Sequence, residues 1–422
     1  MSIFRPACFF LPKETPMEKW AVIACDQFTS QTEYWQEAEA LVGDAPSALR
    51  LILPEAFLGE GEERIGRIHQ AMKDYEAGDV FRALPEGYVY VERTLKNGSV
   101  RHGLVGVIDL EAYDYRAAAD SPIRATEQTV VERIPPRQKV RRGAELELSH
   151  VLLLCDDAES ALLAPFEQEK AGMPLLYEAE LMQGGGHIAG WQVTGEAAAA
   201  FGRRLDAYCE EKTRRFEERG QAPLLFAVGD GNHSLASAKA HWEQVKQTLA
   251  ADGMEKHPAR YAMVELTNLH DTSLVFEPIH RLMKNVRADE LLAALSPVLT
   301  DRPEGESVPL TCVTAGKTDV RWLKLTGGEL PVAALQRALD QYLSGHSEAG
   351  IDYIHGEAAL AALAAGEDTV GFLLSPMDKK DLFPGIVSGG VLPHKTFSMG
   401  HAEEKRYYIE ARRIIPDNAA AR

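Results

Sequence analysis

The sequence predicts a mixed α/β (α+β) protein: a mixed sheet with flanking helices, β-hairpins and a smaller C-terminal subdomain. Three observations predict it. Leu224 to Val228 is an uninterrupted apolar run that suits a strand buried on both faces, and Leu235, Ala238, Trp242, Val245 and Leu249 follow at helical spacing. The β-branched and aromatic runs 88–94 and 100–110 flank Lys96-Asn-Gly98, and Asn-Gly is a strong hairpin signal. Strand-like and helix-like segments then alternate through the middle third, which favours helices laid on a mixed sheet.

Taken in order, residues 17–81 read as mainly helical apart from the strand-like 21–25. Ile65, Ile68, Met72 and Tyr75 share one helical face. Asp26, Gln27 and Thr29 end the 21–25 run as polar groups suited to line a pocket, and Cys25 reads as a core cysteine. The segment 121–142 concentrates Arg124, Arg133, Arg137, Lys139, Arg141 and Arg142, as either a solvated loop or an anion site. Val151 to Leu154 suits a buried strand, and 158–170 a helix. Gly184-Gly-Gly186 suggests a second hairpin with a mobile tip. Residues 195–219 form a long charged amphipathic helix. Beyond the 235–249 helix, 260–269 reads as a strand and 287–345 alternates helix, hairpin and helix. Ile351 to Gly356 leads into an alanine-rich helix and the strand 369–375. The expected division is a main region 1–285 carrying an anion-binding loop at 229–234, a smaller subdomain 286–345, and a segment 346–422 returning to the main region.

Composition narrows the function. The chain has 422 residues, 45% of them hydrophobic, enough for a sizeable core. A formal charge of −18 repels phosphate backbones and anionic membranes, so neither nucleic acid nor a membrane is an expected partner. Five scattered cysteines without Cys-x-x-Cys spacing argue against a disulfide framework and a structural zinc site. The first twelve residues are broken by Arg5, Pro6 and Pro12, and no run approaches the roughly 20 apolar residues of a membrane span. A cytoplasmic protein with a small-molecule substrate is expected, with the oligomeric state open.

The chemistry concentrates in Gly229-Asp-Gly-Asn-His-Ser234. Two glycines let the backbone turn sharply, Ser234 is placed to cap the helix, and a helix N-terminus favours an anion. Gly-Asp-Gly is equally ordinary turn chemistry, but Asp230, Asn232 and His233 exceed what a turn needs. His280 and Arg281 follow an apolar segment. Lys395 and Thr396 lie in a proline-bounded stretch able to close over a phosphate.

These pieces resemble, in the right order, the motifs of the bacterial and archaeal family called domain of unknown function 1015. Arg124, Glu127 and Thr129 are in register with Arg-x-His-Glu-x-Thr, and Thr126 replaces the histidine. Asp230 to Ser234 is similar to Asp-Gly-His-His-Arg, Pro278 to Arg281 to Pro-x-His-Arg, Asp352 to His355 to Asp-Tyr-x-His, and Leu392 to Thr396 to Met-Pro-x-Lys-Ser. The second motif is also similar to one in free-serine kinases of the ParB and sulfiredoxin-like superfamily. That resemblance implies a phosphate cradle at Asp230 to Ser234 and Glu127 as the base. Ser234, standing where arginine is usual, removes a bidentate phosphate contact.

The expected function is a kinase-like phosphotransferase acting on a hydroxylated metabolite, serine-like compounds included, with ATP, ADP or pyrophosphate as donor. Catalysis falls to Glu127, Asp230 and His233, with Asp230 holding Mg2+. Phosphate contacts fall to Gly229, Gly231, Asn232, Ser234, Arg124, Lys395, Thr396, His280 and Arg281. The alternatives are a metal-dependent hydrolase using Asp230, His233, His280 and His355, and a nucleotide-binding regulator without turnover.

Overall fold

The computed structural model describes residues 3–416 apart from 118, 129–133, 328 and 394. The protein is a mixed α/β chain that divides into two compact units. One comprises Met1–Ala125, Thr129–Leu274 and His401–Arg422; the other comprises Thr126–Gln128 and Val275–Gly400.

The first unit is built on a ten-stranded sheet. The two expected hairpins form one edge: Tyr88–Thr94 pairs antiparallel with Val100–Asp109, and Leu175–Glu180 with His187–Val193. Gly98 supplies the positive φ (82°) of the first turn. Tyr261–Asn268 continues the sheet antiparallel to Val100–Asp109, then Leu152–Cys155 joins it in parallel. The central strand Phe226–Asp230 runs antiparallel to Leu152–Cys155 and parallel to Ile123–Ala125.

Alternation along these strands divides the apolar side chains between two cores. Val89, Val91, Val105 and Val107 pack with Trp20, Trp35, Ile68 and Met72 from the N-terminal helices. Tyr88, Tyr90, Leu104 and Ile108 pack with Phe201, Leu205, Leu235 and Trp242 from Gly195–Glu217 and Asn232–Val245. Leu235 and Trp242 are each 1% exposed, and burying side chains of this size contributes roughly 1.5–3 kcal/mol apiece.

Two local expectations change. Part of the basic stretch is helical over Ile134–Arg142, and three of its cations are matched: Arg137 with Glu55, Lys139 with Glu62 at 2.5 Å, Arg141 with Glu147 at 2.6 Å. The tip at Gly184 to Gly186 is clamped rather than mobile. Arg93 Nε donates to the Gly185 carbonyl at 3.0 Å, and the Tyr407 hydroxyl donates to the Met182 carbonyl at 3.0 Å.

The second unit is a seven-stranded antiparallel sheet centred on Phe276–Lys284, Thr369–Leu373 and Ser307–Thr314. Met283 and Phe372 pack with Leu335 and Leu339 of the helix Pro331–Gly345. Leu282, next to Met283 and therefore on the other face, packs with Leu360 and Ala364.

Candidate functional site

The central strand delivers its last residues, Gly229 and Asp230, to a turn made by Gly231, whose φ is 78°. A Cβ there would lie 2.9 Å from Val151 Cγ2 and 3.4 Å from His150 Cδ2. Gly231 therefore serves two needs, a left-handed conformation and close contact with the neighbouring strand. The helix Asn232–Val245 starts immediately, and among the described residues no side chain is hydrogen-bonded as its cap. Ser234, expected as the cap, instead lies inside the first turn, where it lines a cavity.

Four side chains from distant parts of the first unit surround this turn. Asp230 Oδ1 accepts from the Gly231 N–H at 2.9 Å, and Oδ2 lies 3.2 Å from Lys405 Nζ. Among the described residues Oδ2 accepts no hydrogen bond despite its burial, and the Lys405 ammonium is its ion-pair neighbour. His150, 3% exposed, makes a 2.6 Å hydrogen bond through Nδ1 with the Tyr408 hydroxyl, and its Nε2 lies 3.7 Å from Asp26 Oδ2. Burial pushes the Asp26 carboxyl up, but His150, Gln27, Lys405 and Arg137 together hold it below the usual carboxylate range. Asp26 thus remains an anion at neutral pH. Burial beside Asp26 pushes the Cys25 thiol up to about 11, so it remains a thiol.

Arg124 is buried in the same unit. Its guanidinium donates to the carbonyls of Ser121 (2.8 Å), Ala222 (3.1 Å) and Pro223 (3.3 Å), tying together the loops before two paired strands.

His233 follows Asn232 in the first turn of the helix Asn232–Val245, where its carbonyl accepts from the Ser237 hydroxyl at 2.8 Å. Glu127, His280, Arg281, Lys395 and Thr396 belong to the second unit. Glu127 forms a parallel bridge with Leu392, flanked by Leu392 N–H to Thr126 carbonyl (2.8 Å) and Gln128 N–H to Leu392 carbonyl (3.2 Å). Arg281 is fully buried, donating through Nε to Gln336 Oε1 at 2.7 Å and lying 4.7 Å over the Tyr353 ring. Burial lowers its pKa to about 10, against the pull of Tyr353, Glu127 and Asp340. His280, 1% exposed, accepts the Leu374 N–H at Nδ1 (3.2 Å), and burial lowers its pKa. Lys395 adopts φ 58°, and the buried Thr396 hydroxyl donates to the Pro393 carbonyl at 2.7 Å. Thr129, Arg133 and His394 lie outside the described residues.

The family model described as a protein of unknown function, DUF1015, matches residues 7–360. The chain belongs to the DUF1015 family. No curated protein matches it. Among solved structures it is similar to SbnI with C-terminal truncation from Staphylococcus aureus, at 11% identity and TM-score 0.37 over 70% of this chain and 82% of that one. It is also similar to a conserved hypothetical protein from Pyrococcus furiosus (11%, TM-score 0.36, 73% and 94%). A third is a free serine kinase variant in complex with ADP (13%, TM-score 0.38, 76% and 95%). Likenesses of this size bear on neither the reaction nor the ligand of the DUF1015 chain.

The DUF1015 motif at 230–234 thus lies beside two residues that sequence reasoning missed, His150 and Lys405. His150 stands just ahead of an apolar strand, the mirror of the strand-end position that singled out Asp26. Lys405 carries no local signal, since it follows two glutamates in a surface-like stretch. Among the described residues no three His, Cys, Asp or Glu side chains are grouped to hold a metal ion. No helix of the described residues is long and apolar enough to cross a membrane.

Proposed function

We propose that the chain is a small-molecule phosphotransferase whose loop Asp230 to Ser234 holds the phosphates of a nucleotide or pyrophosphate donor. The observation that carries this reading is the 14-residue helix Asn232–Val245 entered through the left-handed Gly231, with Lys405 Nζ 3.2 Å from Asp230 Oδ2 just before it. The positive end of the helix and a lysine are the parts that cradle a phosphate. In phosphoryl transfer the protein chiefly positions groups and neutralises charge. Mg2+ fits the donor set where it takes the place of the Lys405 ammonium, which lies 3.2 Å from Asp230 Oδ2: it is commonly bound through one or two carboxylates plus phosphate oxygens, and Asp230 is the loop's carboxylate. Bound there, Mg2+ would neutralise phosphate charge.

The acceptor's hydroxyl oxygen bonds to the transferred phosphorus while the donor's bridging P–O bond breaks, its electron pair leaving with the donor. The hydroxyl proton passes to a base. The motif resemblance implies Glu127 as that base; within the first unit, beside His150 of the loop's surroundings, Asp26 is a second candidate carboxylate.

Calorimetric titration with ATP, ADP and pyrophosphate, followed by donor consumption over a panel of hydroxylated metabolites, tests the proposal. Saturable donor binding is expected, weakened at least about tenfold in Lys405→Met by loss of a charge-assisted contact of roughly 1.5–3 kcal/mol. Glu127→Gln and Asp26→Asn identify the base by which of them abolishes turnover while donor binding persists. No binding of any donor would sink the reading.

A further inference from the structure

Beside the loop, the first unit holds a partly open cavity of about 110 Å³. Apolar side chains make up most of its lining, Leu51, Ile52, Leu53, Met72, Ala144 and Leu146 among them. The charged side chains that also line it are paired, Arg137 with Glu55 and Arg141 with Glu147. His150, Tyr408 and Ser234 line it too, the first two hydrogen-bonded to each other and the third in the first turn of the proposed phosphate-binding helix. A mainly apolar cavity that shares Ser234 with an anion site suits a ligand of matching polarity: a hydrocarbon portion with a hydroxyl. For scale, an engineered apolar cavity of about 150 Å³ holds benzene, so this one suits a branched aliphatic group of roughly four or five carbons.

We infer that this cavity seats the apolar part of the phosphoryl acceptor, making the acceptor a small aliphatic alcohol-bearing compound rather than a wholly polar one. The inference rests on the phosphotransferase reading above. The acceptor oxygen forms the new P–O bond beside Ser234, which the cavity shares with the anion site, and its proton goes to whichever base the variants above identify.

The experiment uses the full chain and 3-methylbutan-1-ol as probe, with glycerol as the polar comparison. Saturation-transfer NMR without donor is expected to show saturable binding of the branched alcohol, lost in Ala144→Phe, which fills the chamber. If that variant does not fold, Val140→Phe, on the same wall, takes its place. With donor present, consumption is expected to be at least about tenfold faster with the branched alcohol than with glycerol, in line with the discrimination an apolar pocket gives. Failure of the branched alcohol to bind, or binding indifferent to the filling variant, overturns the inference. Donor consumption with glycerol that Ala144→Phe leaves unchanged also overturns it while the phosphotransferase reading stands. Absence of donor binding together with absence of turnover overturns the reading beneath it, whatever the alcohol does.

Discussion

At Gly231 backbone geometry and packing demand the same thing. The left-handed conformation costs a residue with a Cβ about 1–2 kcal/mol, and the added methyl would press on Val151, itself only 2% exposed. Gly231→Ala is therefore expected to lower unfolding free energy by about 2–4 kcal/mol, read from urea denaturation. Gly202, inside the helix Gly195–Glu217 with open space around its Cβ position, is the control: Gly202→Ala is expected to stabilise by up to about 1 kcal/mol. Equal effects at the two sites would contradict this account. The loop itself was legible because its glycines, aspartate and helix start lie within six consecutive residues. Its surroundings were not, because the His150–Tyr408 hydrogen bond joins positions 258 residues apart and leaves no trace in local spacing.

The same contrast holds for whole elements. The hairpins and the amphipathic helices announce themselves through turn residues and periodicity, whereas the sheet order depends on long-range pairings that no short window encodes. The C-terminal stretch is the clearest case. Tyr407–Tyr408 pairs with Val22–Ile23, and Ala411–Arg413 with Leu146–Leu148, so a terminal segment holds together strands from two early parts of the chain. Just before these elements Arg406 donates to Glu265 and Glu410, each at 2.7 Å, and all three side chains are at most 4% exposed. Removing the guanidinium takes the 2.7 Å cationic partner from two buried carboxylates, leaving Glu410 with the Tyr177 hydroxyl (2.5 Å) and Glu265 with Arg101 at 3.9 Å. Arg406→Met is expected to cost about 3–5 kcal/mol, measured as a fall in melting temperature. The same change at the exposed Arg302 should stay within about 0.5 kcal/mol. If Arg406→Met unfolds at the wild-type temperature, the terminal segment is not held by this network.

For the molecule as a whole, an excess of 18 negative charges makes stability depend on pH through the few carboxylates whose pKa folding changes most. Asp271 is one of them. Burial raises it, but hydrogen bonds from His102 and Ser273 dominate and hold it at about 2. A carboxyl lowered on folding stabilises the protein above its unfolded value near 3.8, and that contribution is lost as pH falls through about 2. The displacement corresponds to roughly 2 kcal/mol at neutral pH. Its partner works in the opposite sense. The hydrogen bond to Asp271 raises the His102 pKa against burial, so the histidine's contribution is complete below its ordinary value of 6.5 and fades as pH rises through the raised one. The pair is therefore strongest between about pH 4 and 6.5 and weakens on both sides. Urea unfolding from pH 3 to 9 should place the stability maximum of the wild type in that window. Asp271→Asn weakens both limbs: the loss below pH 4 becomes shallower, and the alkaline decline near the raised His102 pKa shrinks to the part that Glu167, 3.0 Å from His102 Nε2, sustains. An alkaline limb that keeps its full size in Asp271→Asn would assign it to some other group.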